Sequence, residues 1–232
     1  MEFKEYFVVS IKDEAEDVRT FKIKRHDGIT PNYQPGHFFL LQLPDDSGKP
    51  THRPYSVASA PWEEGLQFCV KRKGTFPNYL WRLHVGSRIM VSGPYGIFLL
   101  SPNDTERVFI GGGVGISALR SMILQTIREG KPSSLFHSAH TREGLIYFDE
   151  MAGLAKRNPI FKFYPSITGE SVPDGWSGLR GRISVELIKS KLGSLLDKTY
   201  YLCGSKDMAG SLAIALAGAG VPKERIKKDE WG

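Results

Sequence analysis

Between Val108 and Leu119 the local character of the chain changes three times within a dozen residues, which leaves few folds open to it. Val108-Phe109-Ile110 is a short β-branched and aromatic run of the kind that forms a buried strand. Gly111-Gly112-Gly113-Val114-Gly115 follows, and then Ile116, Leu119, Met122, Ile123 and Ile127 recur at helical spacing. Strand, tight turn and helix together make a nucleotide-binding half-motif. Gly113-Val114-Gly115-Ile116-Ser117-Ala118 fits G-x-G-x-x-A, whose glycines let the backbone turn sharply and lie close to a pyrophosphate at the helix N-terminus. A glycine-rich turn can also do no more than pack helix on strand, but the strand before it and the helix after it favour phosphate binding.

The period of the chain differs on the two sides of this feature. Before it, six short strands are expected at 7–11, 18–23, 38–43, 55–58, 66–71 and 88–91, separated by turn signals such as Asp27-Gly28, Pro35-Gly36 and Glu64-Gly65. That spacing predicts a small antiparallel barrel, interrupted by one helix from Pro77 to His84 with proline in its first position. After the polar run Ser101-Pro102-Asn103-Asp104-Thr105, strands at 108–110, 135–139, 160–166 and 199–203 alternate with helices at 117–129, 147–156, 184–191 and 206–217. Such alternation predicts a parallel sheet wrapped by helices. The expected architecture is therefore a β-barrel over 1–101 followed by a Rossmann-like α/β domain over 102–232.

The composition narrows the partners. The 31 Lys and Arg exceed the 25 Asp and Glu, giving a formal charge of +6, but the charges are dispersed with no long basic block. That argues against nucleic acid and suits an acidic protein partner or phosphorylated ligands. Neither a signal-peptide layout nor an apolar run of membrane-spanning length is present, so a cytoplasmic protein without membrane contact is expected. The two cysteines, Cys69 and Cys203, cannot build a disulfide framework or a four-cysteine cluster, and no metal-ligand spacing occurs.

Four segments then appear in a telling order: Arg53-Pro54-Tyr55-Ser56, Gly93-Pro94-Tyr95-Gly96, Gly111-Gly112-Gly113-Val114-Gly115 and Cys203-Gly204-Ser205-Lys206-Asp207-Met208. In that order they resemble the ferredoxin-NADP reductase family of flavoproteins, over nearly the whole chain. The resemblance implies that Arg53 grips the flavin phosphate, Tyr55 lies against the isoalloxazine beside Pro54, and Ser56 stands near the flavin N5. Each role suits its residue: guanidinium pairs bidentately with phosphate, a tyrosine face stacks on a planar ring, and a small hydroxyl reaches N5 without blocking hydride. A second flavin segment is implied around Val70, Gly74, Thr75 and Phe76. There Pro77 stands where the family has serine, which removes a hydroxyl and an N–H but keeps the glycine-helix arrangement, so FAD is still expected over FMN.

On the nicotinamide side the resemblance makes Gly112, Gly113, Val114 and Gly115 the dinucleotide turn, with Ser117 capping the helix in place of the family's proline. No acidic residue ends the next strand; His140, Thr141 and Arg142 stand there, so His140 and Arg142 are expected to favour NADP, with NAD the alternative. Glu143 opposes a phosphate or pairs with Arg142 at the surface. Arg182 is a weaker candidate for phosphate contact. The resemblance places Cys203 beside the nicotinamide C4 with Gly204 and Met208 in the same motif, although a buried structural thiol and a core methionine are the plainer alternatives. At the end of the chain, Glu230 is implied as a proton relay and Trp231 as a ring over the flavin.

The expected catalytic residues are thus Ser56, Cys203 and Glu230. The expected reaction is hydride transfer from NADPH to bound FAD, followed by single-electron delivery to a separate ferredoxin or flavodoxin. Alternatives are a flavin or cytochrome reductase using NAD(P)H, or a nucleotide-binding subunit without turnover.

Overall fold

The computed structural model describes residues 1–231, Trp231 in its backbone only. Two six-stranded sheets account for the chain. The first is antiparallel and holds β1 (Lys4–Ala15), β2 (Val18–Lys24), β3 (Phe38–Pro44), β4 (Pro50–Ser56), β5 (Leu66–Lys71) and β6 (Arg88–Tyr95), in the order β4-β3-β6-β1-β2-β5. The sheet curls until its outer strands touch, and just past β4 the Ala58 N–H donates to the Gln67 carbonyl on β5 at 2.8 Å. Alternation builds the interior: Phe39, Leu41 and Leu43 on β3 meet Phe21, Phe68, Ile89 and Val91 inside, with the Phe39 and Phe68 rings edge-to-face at 6.0 Å.

Two expectations move in this half. The strand expected at 55–58 runs instead over 50–56; Pro50 and Pro54 fit there because β4 is an outer strand that need not donate along its free side. The helix, α1 (Thr75–Trp81), starts at Thr75 after Gly74, so Pro77 is its third residue and not its first.

The second sheet is parallel in all its described pairings and holds β7 (Arg107–Gly112), β8 (Ser133–Ala139), β9 (Phe161–Ile167), β10 (Leu179–Arg180), β11 (Thr199–Ser205) and β12 (Ile226–Trp231), in the order β10-β9-β8-β7-β11-β12. Helices α2 (Ile116–Arg128) and α3 (Phe148–Arg157) cover one face, α4 (Val185–Leu192) and α5 (Lys206–Gly218) the other. Because both faces are covered, β7 is apolar nearly throughout: Phe109 joins α2 and α3, while Val108 and Ile110 join α4 and α5. The barrel residues Val18, Ala58, Cys69 and Phe98 share the first of these cores. A hydrogen bond 3.0 Å long between Thr20 Oγ1 on β2 and Tyr147 Oη spans the two halves. β10 and β12 extend the sheet at its two edges beyond the four strands expected from periodicity.

Candidate functional site

The strand order fixes where a ligand binds. From β7 the chain proceeds outward through β8, β9 and β10, then returns to the opposite side of β7 with β11 and β12. The reversal lies between β7 and β11, and open α/β sheets bind ligands outside the strand ends at such a point. Two predicted segments meet there: the glycine turn, which leaves β7, and Cys203-Gly204, which ends β11, with Cys203 in register with Gly111.

The glycines are needed for close approach. A Cβ on Gly115 would lie 2.2 Å from the Cys203 carbonyl oxygen, so only glycine lets the turn rest on β11. One on Gly112 would meet the Met208 sulfur at 2.5 Å. Gly113 takes φ +51 with open space where its Cβ would stand, leaving that side of the turn clear for a ligand. Beneath the turn, the Nε2–H of buried His137 donates to the Gly113 carbonyl at 3.0 Å. Burial pushes the His137 imidazole down to about 4, against the opposing pull of that bond, so the ring is neutral and anchors the turn without adding charge. Ser117 does not cap α2 as expected; its hydroxyl donates back to the Val114 carbonyl at 2.7 Å, inside a 3-10 turn over Gly113–Gly115 that leads straight into the helix.

Beside the turn a cavity of about 560 Å³ opens past the ends of β8, β9 and β11, walled by Ser138, Thr168, Arg182, Ser205 and Met208. Met208 is therefore a cavity wall as well as a packing residue. Arg182 forms no salt bridge among the described residues, and the carboxylates of Glu186 and Asp207 line the same cavity. Arg142 takes a different position from the one expected: its guanidinium lies 3.5 Å from the Phe148 ring centre and pairs with Asp149 at 3.1 Å, outside that cavity. His140 is exposed and packs against Gly169, where a Cβ would meet the His140 carbonyl oxygen at 2.4 Å. The ends of β9 and of the following loop, and not that of β8 alone, shape this part of the site.

From the barrel, β4 brings Arg53, Pro54, Tyr55 and Ser56 toward the same junction. The Arg53 guanidinium is exposed, donates to the His52 carbonyl at 2.7 Å and has no acidic partner among the described residues, as an anion grip requires. Tyr55 is half-buried with its ring 6.1 Å from that of Phe76, and burial pushes its phenol well above the ordinary range, so it stays neutral. Gly74 and Thr75 are exposed at the start of α1, whereas Phe76 is buried. The Val70 side chain is buried in the barrel core.

Ser56 and Cys203 are brought together by a residue that sequence reasoning misses. Asp229 on β12 is in register with Cys203, and its carboxyl lies near enough to the Ser56 hydroxyl to be stabilised by it. Burial pushes its carboxyl above the ordinary range, the Ser56 hydroxyl opposes this, and the neighbouring Glu230 adds to it. Glu230, the expected relay, faces the other way: it pairs with Lys228 at 3.0 Å and approaches Gly210 on α5. Adjacent strand residues point to opposite faces, so only one of the two acids can reach Ser56. Pairing 226–231 with β11 as a strand is the signal that would reveal it. The Trp231 side chain lies outside the described residues.

A barrel facing a parallel nucleotide-binding sheet, with an arginine-tyrosine-serine strand end and a glycine turn at the junction, defines a two-nucleotide oxidoreductase. Residues 5–99 match the oxidoreductase FAD-binding domain family, and residues 109–213 match the oxidoreductase NAD-binding domain family. The chain thus carries, in order, the FAD-binding and NAD-binding oxidoreductase domains of the ferredoxin reductase family. Among curated relatives, a component of the Na(+)-translocating NADH-quinone reductase of Klebsiella pneumoniae is 30% identical over 213 residues, covering 84% of this chain and 52% of the relative. Its counterpart in Pseudoalteromonas atlantica is 30% identical over 215 residues, covering 85% and 52%. The chain thus spans about half the length of these relatives. Among solved structures, a ferredoxin NADP+ reductase from Neisseria gonorrhoeae with bound FAD and NADP is 25% identical, covers 100% of this chain and 98% of its own, and superposes with a TM-score of 0.83. The FAD/NAD-binding domain of a nitric oxide dioxygenase from Vibrio cholerae shares the fold, with a TM-score of 0.90 at 21% identity and full coverage of both chains.

Proposed function

We propose that the protein is a cytoplasmic reductase that moves a hydride from NADPH to bound FAD and hands electrons singly to a separate ferredoxin or flavodoxin. The observation that carries this reading is the convergence of Ser56, Asp229 and Cys203, from two sheets, at the point where the strand order reverses. The residues present suit both groups. Arg53 offers a phosphate an exposed guanidinium without an acidic partner among the described residues, Tyr55 a neutral aromatic face, and Gly113 an open backbone for a pyrophosphate. FAD, when bound, supplies the step between two-electron and one-electron chemistry. The chain's share is to hold the two rings in line: Cys203 shapes the nicotinamide end of the crevice, and Ser56 with Asp229 holds or releases a proton at the barrel end.

For NADP preference the reading favours Arg182 over Arg142 and His140, since Arg182 borders the cavity with the hydroxyls of Ser138, Thr168 and Ser205, although Glu186 and Asp207 line it too. A second reading has its own support. The curated relatives are components of a Na(+)-translocating NADH-quinone reductase, which favours NADH and an assembled partner. No helix among the described residues is long and apolar enough to cross a membrane. The deciding experiment loads the protein with FAD and offers NADPH and NADH separately, each with a ferredoxin, a flavodoxin, a cytochrome and a quinone. Fast reduction of ferredoxin or flavodoxin with NADPH supports the first reading; NADH-driven reduction of quinone alone replaces it with the second. A purified protein that takes up no flavin overturns both.

A further inference from the structure

Arg120 lies in α2, one helical turn beyond the glycine turn, and is 7% exposed. Its guanidinium uses all five of its N–H groups. Nη1 donates to the Ala58 carbonyl at 2.8 Å and to Glu63 Oε2 at 2.7 Å, and Nη2 donates to Glu63 Oε1 at 3.0 Å and Glu150 Oε1 at 2.7 Å. Nε donates to Glu150 Oε2 at 2.8 Å. Glu150 belongs to α3 in the same half of the molecule, but Ala58 and Glu63 belong to the barrel. Glu63 in turn accepts the Ala60 N–H at 2.7 Å, which folds segment 58–63 around the guanidinium. Tyr147, whose ring centre is 5.5 Å from the Arg120 carbon, adds the bond to Thr20. Tyr147 is the one non-glycine residue among those described with positive φ, at 58, a conformation such a residue keeps only when its surroundings hold it.

The chain positions of these contacts give them their meaning. Ala58 is two residues from Ser56 on the flavin strand, and Arg120 is five residues from Gly115 at the dinucleotide turn. The Arg120–Ala58 and Arg120–Glu63 bonds therefore join the two halves within a few residues of each ligand motif. We infer that Arg120, through Glu63 and Ala58, is a positioning residue that sets the spacing of the flavin strand and the dinucleotide turn for hydride transfer. The inference rests on the two-nucleotide reading above. A guanidinium suits the task because its planar fork is rigid and keeps its charge, so that five simultaneous bonds leave it one orientation. A shift of about 1 Å in reacting groups costs on the order of a hundredfold in rate.

The two carboxylates supply the test, because both pair with the same arginine and only Glu63 belongs to the barrel. Spin labels are attached at Val85→Cys on the barrel and Ile214→Cys on α5, both exposed positions, and their distance distribution is measured without added nucleotide in Glu63→Gln and Glu150→Gln. Single-turnover flavin reduction is measured in the unlabelled variants, together with flavin content and dinucleotide Kd. Glu63→Gln is expected to broaden the distance distribution and slow flavin reduction about tenfold to a hundredfold, with flavin content and Kd within about twofold of the parent. Glu150→Gln is expected to leave the distribution narrow. Equal behaviour of the two variants in both measurements, or an unchanged distribution in Glu63→Gln, overturns the inference. If the parent takes up no flavin, the functional reading fails by itself, and the distance measurement still judges the Arg120 contacts.

Discussion

The two ligand sides of the junction are built from opposite materials. On the barrel side the features are side chains: the Arg53 guanidinium, the Tyr55 ring and the Ser56 hydroxyl, all on one strand. On the sheet side the features are missing side chains, at Gly112, Gly113 and Gly115, with His137 beneath and Cys203 behind. The first kind of site loses one interaction when a residue is changed. The second loses its shape, because an added atom displaces backbone.

The sharpest test of that difference is Gly115→Ala. Its new Cβ has a backbone carbonyl 2.2 Å away and no flexible neighbour to yield, so a cost above about 3 kcal/mol is expected. It should appear as a fall of more than about a hundredfold in dinucleotide affinity by titration, with flavin retained; unchanged affinity would break the comparison. The next largest effect comes from pH. The imidazole of His137 is neutral in the folded protein down to about 4, against an ordinary value of 6.5, so the unfolded chain binds the extra proton first. Stability from this group is complete above pH 6.5 and is lost as pH falls toward 4, by on the order of 3 kcal/mol. Urea unfolding at a series of pH values should show that slope, and His137→Gln should flatten it.

On the side-chain half, Arg53→Ala removes one charge-assisted grip and leaves the fold alone. Flavin affinity should fall by about 2 kcal/mol, seen as flavin loss on gel filtration, with the melting temperature of the flavin-free protein unchanged. Full retention of flavin would remove Arg53 from the site. The smallest expected effect separates two arginines. Arg182→Ala should lower the NADPH to NADH efficiency ratio by about 1 kcal/mol, roughly fivefold, whereas Arg142→Ala should leave it in place. An effect at Arg142 alone would return the preference to the end of β8.

Legibility in the sequence follows the same division. Arg53, Tyr55 and Ser56 are recognisable because their chemistry resides in their identity, and the strand-glycine-helix switch is recognisable because three local signals coincide. Asp229 is hidden, since whether it or Glu230 faces Ser56 depends on the pairing of an edge strand that periodicity does not reveal. Arg142 stands out ahead of Arg182 for a related reason. The end of β8 is legible locally, but the cavity wall is completed by a loop that returns from β10, which has only two residues. Ser117 has the right residue type for a cap, yet the preceding 3-10 turn lets its hydroxyl bond backward instead.

The Thr20–Tyr147 hydrogen bond bears on how this molecule can be recombined with others. A chimera that joins this barrel to another family member's sheet keeps every recognisable motif and still loses a partner for Thr20 across the seam. Breakpoints placed in the polar run near Ser101 look natural by sequence but cut through a matched pair of surfaces. Grafts that carry Tyr147 along with the barrel should melt higher than grafts that leave it behind.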